Sequence, residues 1–189
     1  MNTISHLIIN AAIDKKAGGN FQISKPAFLL GAVLPDIPLG LLYAGTYIYY
    51  GLILQQDISN LMEEVIHPAF FNNPWWISAH NVLHAPLLLG LAIALLWRYQ
   101  QRPGSRGHWG LWFVLGSFLH SFIDILTHTT DGPLLLFPFE WQTRFPSPIS
   151  YWDPAFFGRE FLFFEVLLGL VLLGYLFLPK IIAKIRKKV

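Results

Sequence analysis

The chain has 189 residues, of which 54% are hydrophobic, 16% aromatic and only 13% charged; soluble domains carry about 25% charged residues. That composition, with a mean hydropathy of +0.47, excludes an ordinary soluble domain and points to a membrane protein. The net charge of +2 sits in a few basic clusters, which suits membrane orientation rather than nucleic-acid binding, and the absence of cysteine excludes disulfides, iron–sulfur clusters and thiolate zinc sites.

In chain order, the first element is an apolar stretch over 3–14. It lacks the basic flank and the cleavage site of a secretory signal peptide. Its 12 residues reach only about halfway across a bilayer at 1.5 Å per residue, so a half-membrane helix is predicted. A first full span covers 28–51 and must kink or break at Pro35 and Pro38. A loop over 52–76 follows, then spans over 77–97 and 109–129. The segment 130–158 is rich in proline and aromatics and is expected to form a lid-like loop on the outer side. A last span covers 161–178. Each full span is long enough for about 30 Å of hydrocarbon. The fold class is therefore all-α: a polytopic helix bundle of about four transmembrane helices plus the N-terminal half-helix, in one integral membrane domain over 1–189.

Basic residues set the orientation. Lys15, Lys16, Lys25, Arg98, Arg102, Arg106, Lys180, Lys184, Arg186, Lys187 and Lys188 fall on one side, and Arg144 and Arg159 on the other: eleven against two. The positive-inside rule places the first group, and the C-terminus, in the cytoplasm. The loops carrying Asp57, Glu63, Glu64, Asp131, Glu140 and Asp153 then face outward. Trp75 and Trp76 at one boundary, with Trp97 and Trp109 at the other, fit aromatic belts. A multi-pass protein of a bacterial plasma membrane is expected.

Ionisable side chains within spans are costly and usually face the bundle interior. Here the set is His6, Asp36, His80, His84, His120, Asp124, His128 and Glu165. His80 and His84 are spaced i, i+4; His120, Asp124 and His128 continue that spacing along one face. Counted from the nearest cytoplasmic basic residue at 1.5 Å per residue, His6 lies roughly 14 Å up, Asp36 roughly 17 Å, His84 and His120 roughly 21 Å, His80 and Asp124 roughly 27 Å and His128 roughly 33 Å. These groups fall in one zone, from mid-membrane to the outer surface. Imidazoles and carboxylates converging from several helices are ligands for zinc, manganese or iron. The competing reading of the same set is a proton or ion pathway. Glu165 either accepts from a ligand imidazole or pairs with a helix neighbour. Asp131 is divided between a role at the centre and a turn cap, and His67 and His108 read as surface residues.

Four short motifs resemble a known family. Ser5-His6, Gly31-Ala-Val-Leu-Pro-Asp36, His80-Asn-Val-Leu-His84 and His120-Ser-Phe-Ile-Asp124 are similar, in order and spacing, to the bacterial membrane-bound metal-dependent hydrolases. Phe137-Pro-Phe and Ser147-Pro-Ile-Ser-Tyr-Trp-Asp153 resemble one branch of that group, and the resemblance covers residues 3 to 158. It implies a hydrolase with bound metal, distantly similar to zinc-dependent phospholipase C, whose helical fold also uses His-x3-Asp. Two positions depart from the commoner pattern. Pro38 stands where a second carboxylate is usual, and Ala85 where a hydroxyl is usual, which favours one metal over two or three.

The expected centre has His6, Asp36, His84, His120 and Asp124 as ligands and His80 and His128 as acid–base groups. The expected substrate is a lipid-like ester or phosphoester entering from the outer leaflet. Arg144 and Arg159 would either hold an anionic headgroup or anchor the protein at the interface. A metal- or proton-binding transport component, or a non-catalytic assembly factor, is the alternative.

Overall fold

The computed structural model describes residues 1–19 and 21–186; Lys187 and Lys188 of the basic tail lie outside the described residues. These form an all-α bundle without named strands, as suits hydrocarbon, where every backbone N–H and C=O must be bonded within the protein. Helix α1 covers Thr3–Ala17, α2 Lys25–Gly31, α3 Ile37–Tyr47, α4 His67–Asn72, α5 Pro74–Asn81, α6 Pro86–Leu96, α7 Arg106–Thr127 and α8 Gly158–Arg186. The stretches Lys25–Ile53, Arg106–Thr127 and Gly158–Lys184 are long and apolar enough to cross a bilayer. Pro74–Asn81 with Pro86–Tyr99 makes a fourth if its 45° bend lies within one span.

Prolines set the breaks. After α2, a single 3-10 turn over Leu34–Asp36 leads into α3, with Pro35 in that turn and Pro38 in the first turn of α3. A proline ring has no N–H to donate and clashes with a preceding helical turn. The second break corrects the sequence pattern, which predicts one helix over 77–97. Helix α5 stops at Asn81, and Ala85, the residue before Pro86, is extended, as pre-proline sterics favour. A second correction concerns His128. Helix α7 ends at Thr127, and His128 has φ −127° and ψ 121°, so it lies off the helical face that its spacing implies.

Helix α2 crosses α7 at a contact that only glycine permits. A Cβ on Gly31 would come within 2.7 Å of the Ser117 nitrogen, and one on Gly116 would run into the Phe28 carbonyl. Small residues that let backbones touch are the usual device of membrane bundles. Asn10 of α1, fully buried, spans this crossing, donating to the Phe28 carbonyl (3.0 Å) and reaching the Gly116 carbonyl (3.5 Å).

Helix α8 lies outside this core. Only 6% of its most apolar stretch is buried, and α1 is its main neighbour. Two polar ties hold the pair. Glu165, buried, accepts from the Asn2 backbone N–H (2.9 Å) and from Asn2 Nδ2 (2.8 Å), which places a carboxylate at the positive end of α1. Its partner is thus neither an imidazole nor a neighbour on α8. At the other end, Lys15 Nζ donates to the carbonyls of Tyr175 and Leu176 and sits 4.3 Å from the Tyr175 ring centre. Tyr175 needs that donor because the residue four positions on is Pro179, inside α8, which has no N–H to return.

On the predicted outer side, Leu61, Ile66, Phe70 and Trp76 pack against Leu39, Leu42 and Tyr43 of α3. Trp76 is therefore a core residue, while Trp75 is exposed and remains suited to a belt. The segment after α7 is irregular but pinned. Asn81 Oδ1 accepts from Leu134 N (2.7 Å), Ser147 Oγ donates to the Leu126 carbonyl (2.7 Å), and Tyr151 N donates to the Thr127 carbonyl (2.9 Å).

Candidate metal centre

The chain breaks and α7 bring four side chains together. Asp36 closes the 3-10 turn, His84 lies in the gap between α5 and α6, and His120 and Asp124 stand one turn apart on α7. One ligand atom of each lies within 4.8 Å of all the others. His84 Nε2 is 3.1 Å from His120 Nε2, and Asp36 Oδ1 is 3.3 Å from both nitrogens. Asp124 Oδ2 is 3.0 Å from His120 Nε2 and 3.6 Å from His84 Nε2. A tetrahedral ion with ligands at 2.0–2.1 Å sets its ligand atoms about 3.3 Å apart, a value these separations bracket.

The backbone fixes which ring nitrogen faces inward. His84 Nδ1 lies 2.6 Å from the His80 carbonyl, and His120 Nδ1 lies 2.9 Å from the Ala32 carbonyl. A carbonyl can only accept, so both Nδ1 atoms carry a proton, and in the neutral rings that leaves the Nε2 lone pairs facing inward. These carbonyls are free because the chain tightens locally. Asp36 N bonds to Val33 O and His84 N to Asn81 O; in a regular helix they would have taken Ala32 O and His80 O. Ser121 Oγ further holds the His84 carbonyl. Two nitrogen lone pairs and two carboxylate oxygens facing one point repel each other, and a cation between them reverses that. Imidazoles backed by carbonyls are the usual support of metal ligands, so the donor set fits a divalent ion.

The other expected site residues surround this group. His6 is fully buried, but it is not among the four converging residues. Its Nε2 lies 3.0 Å from Asp124 Oδ1, its ring stacks on His120 at 3.7 Å, and its Nδ1 has no partner. Met1 N also donates to Asp124 Oδ1 (2.7 Å), so one oxygen of Asp124 is held while the other faces the centre. Thr3 Oγ1 donates to Asp36 Oδ2. The His80 ring lies 4.6 Å from that of His84, is buried, and leaves Nδ1 without a partner. His128 Nδ1 donates to the Asp124 carbonyl (3.0 Å), and its ring lies 4.7 Å from Tyr151. Burial, with Asp131, Asp124 and Asp36 nearby, pushes the Tyr151 hydroxyl above its ordinary range, so it stays protonated and can donate. The Asp36 side chain is 31% exposed, against 6% for Asp124 and none for the two imidazoles; the open flank of the centre is therefore beside Asp36.

Asp131 lies apart from the four, where its Oδ2 accepts from Trp152 Nε1 (2.9 Å). His67 is exposed, although it opens helix α4 and does not lie in the expected loop. His108 is not: it is buried, and its Nε2 accepts from Trp112 Nε1 (3.1 Å) one turn along α7. Arg159 is exposed, and Arg144 is half-buried. Sequence reasoning missed Thr3 and the two carbonyls. Thr3 sits one helical turn before His6, a spacing that carries a signal. The carbonyls carry none, because every residue has one.

Among known proteins, no curated protein and no solved structure matches the chain. The agreement lies at the level of a family and extends over residues 1–183, taking in the N-terminal histidine, the proline-broken first span and both later helices of the centre: the chain belongs to the YdjM inner membrane protein family.

Proposed function

We propose that Asp36, His84, His120 and Asp124 hold one divalent ion, zinc in preference to manganese or iron, in a membrane-embedded hydrolase acting on a lipid-like ester or phosphoester. The observation that carries this reading is the pair of imidazoles whose Nε2 lone pairs are aimed at one point by carbonyls freed at two chain breaks. A bound divalent ion supplies Lewis acidity, polarising a carbonyl or phosphoryl oxygen and acidifying water. The chain's own groups do the rest. The Asp36 flank admits the substrate. His6 holds one oxygen of Asp124 so that the other faces inward, and it stands ready as a further ligand. His80, one ring beyond His84, and His128, at the end of α7, are the groups to accept and return a proton. The positive-inside count supports an orientation with this flank toward the outer leaflet and the C-terminus in the cytoplasm.

The direct test is metal content by mass spectrometry of protein purified in detergent, comparing wild type with His120→Ala. About one equivalent in the wild type and a loss of most of it in the variant is the expected result. Metal-free wild type, or an unchanged variant, sinks the metal reading. Hydrolysis is tested separately by incubating metal-loaded protein with phospholipids and isoprenoid phosphates. Release of headgroup or phosphate should vanish on chelation and in Asp124→Ala. No turnover, together with metal- or pH-dependent ion flux in liposomes, favours transport through the same buried His–Asp set.

A further inference from the structure

We infer that the Tyr151 hydroxyl contacts the substrate, donating a hydrogen bond to the carbonyl or phosphoryl oxygen that gains charge at the Asp36–His84–His120–Asp124 centre. The substrate part of this assignment rests on the hydrolase reading above; the donor's place beside the open flank rests on the segment that carries it.

That segment is Ser147–Asp153, a motif that the four converging residues leave unused. It is clamped to the end of α7. Ser147 Oγ donates to the Leu126 carbonyl (2.7 Å) and Tyr151 N to the Thr127 carbonyl (2.9 Å), two of the carbonyls that a helix end leaves without an intrahelical partner. Ser150 Oγ accepts from Asp153 N (3.1 Å), Asp153 Oδ1 accepts from Ala155 N (2.9 Å), and Trp152 Nε1 donates to Asp131 Oδ2 (2.9 Å). Every polar side chain of the motif therefore bonds within the protein except that of Tyr151. Among the described residues its hydroxyl has no hydrogen-bond partner, and the half-buried side chain leaves that oxygen open to solvent.

The hydroxyl also stands in the right place. The Tyr151 ring lies 4.7 Å from that of His128, the residue that follows α7. His128 Nδ1 is used on the Asp124 carbonyl (3.0 Å), so in the neutral ring Nε2 keeps its lone pair. A donor and an acceptor thus lie side by side, one helical turn beyond Asp124. The Tyr151 hydroxyl is within electrostatic reach of Asp124, of Asp36 and of Tyr43. Asp36 is the exposed member of the four and leads directly into α3, which carries Tyr43. Tyr151 therefore shares the side of the centre on which Asp36 is open.

The chemistry calls for such a donor. Water adding to a carbonyl or phosphoryl group shifts charge onto its non-bridging oxygen, the bond to the leaving oxygen breaks, and the water's proton ends on that leaving oxygen. A donor fixed in advance beside the non-bridging oxygen stabilises the charge without reorganising. Tyr151 neither gains nor loses a proton in this account, because burial and the neighbouring carboxylates hold its hydroxyl above the ordinary range. Packing does not explain the hydroxyl. Phenylalanine fills the same space, and an oxygen in reach of several carboxylates but bonded to none adds nothing to the fold.

The test uses the full chain in detergent, zinc-loaded. Tyr151→Phe keeps the ring against His128 and removes only the donor; Tyr49→Phe, at an exposed tyrosine, is the control. Metal content and unfolding temperature are measured in each, and inorganic phosphate and acetate are the calorimetric probes for the two kinds of acceptor oxygen. Tyr151→Phe should keep its metal and its stability and bind the probe that wild type takes about 10- to 100-fold more weakly, the range for a lost hydrogen bond to a charged group. Tyr49→Phe should match wild type. A variant that fails to fold is bypassed by fluorotyrosine placed at position 151, whose fluorine resonance should move when the probe is added, while the same label at position 49 should not respond. On any lipid that is hydrolysed, Tyr151→Phe should lower kcat about 100- to 1,000-fold, as loss of an oxyanion donor does. Probe affinity unchanged in Tyr151→Phe, an unmoved resonance at position 151, or wild type that binds neither probe overturns the assignment. Lost metal or a lowered unfolding temperature in Tyr151→Phe overturns it as well, by making the hydroxyl structural. Turnover that Tyr151→Phe leaves intact overturns it while keeping the hydrolase reading. Tyr151-dependent probe binding in a protein that turns over no lipid supports the contact and overturns the hydrolase reading alone.

Discussion

Ala32 and His80 each lend the centre a backbone oxygen, and those two atoms decide which nitrogen of His120 and His84 faces inward. The four converging side chains were legible in the sequence as a group, because His120 and Asp124 are one turn apart and an imidazole or carboxylate in an apolar span stands out. The oxygens were not, since their availability depends on a local tightening of the chain. His6 was expected as a ligand and lies beside the cluster on Asp124; spacing cannot distinguish a residue that touches the centre from one that steadies Asp124. That difference is measurable. If His6 orients Asp124, His6→Gln should keep metal stoichiometry and weaken affinity about 10- to 100-fold, as such supporting changes do, read by competition with a chelator. Complete loss of metal would make His6 a ligand in its own right. Asn81 offers a test free of the metal. Its Oδ1 is the partner of the buried Leu134 N–H, and Asn81→Ala should cost about 1–3 kcal/mol, measured as a drop in unfolding free energy in detergent.

At the scale of elements, the spans were legible from apolar length, but their interruptions only in part. Pro35 and Pro38 announce a break in the first span. Pro86 sits inside an apolar run and announces less, although the turn before it is what places His84. The tie between α1 and α8 was invisible, because Lys15 reads as one more cytoplasmic charge. Its pairing with a carbonyl that Pro179 leaves free predicts a coupling. Lys15→Met should destabilise the protein, and in a Pro179→Ala background, where Tyr175 regains a backbone donor, the same change should cost less. A double-mutant cycle should return an interaction of about 0.5–3 kcal/mol; additive effects would show that Lys15 serves the membrane surface instead. The α2–α7 crossing allows no relief of that kind. Gly116→Val would drive its side chain into the Phe28 backbone and should prevent recovery of folded protein, judged by size-exclusion profile.

For the whole molecule, composition alone separates a membrane bundle from a soluble domain, and the basic asymmetry predicts its orientation. A reporter fused after Val189 should be active only in the cytoplasm. Activity on the opposite side would turn the Asp36 flank toward the inner leaflet and change which lipids reach it. The packing of the long segment after α7 escaped the sequence, because its proline and aromatic content predicts order without saying against what. In the structure it leans on α5 through Asn81 and on α7 through Ser147 and Tyr151, and it brings Arg144 back over α4.

The Asn2–Glu165 tie also sets a clock. Its partners are 163 residues apart, so at about 5–20 residues per second the ribosome delivers Glu165 roughly 8–30 s after Asn2. Until then a growing chain can carry Asp36, His84, His120 and Asp124 into the membrane while the start of α1, with His6 behind Asp124, has no carboxylate to secure it. The four converging residues can therefore meet before the last span arrives, and what waits for that span is the anchoring of the start of α1.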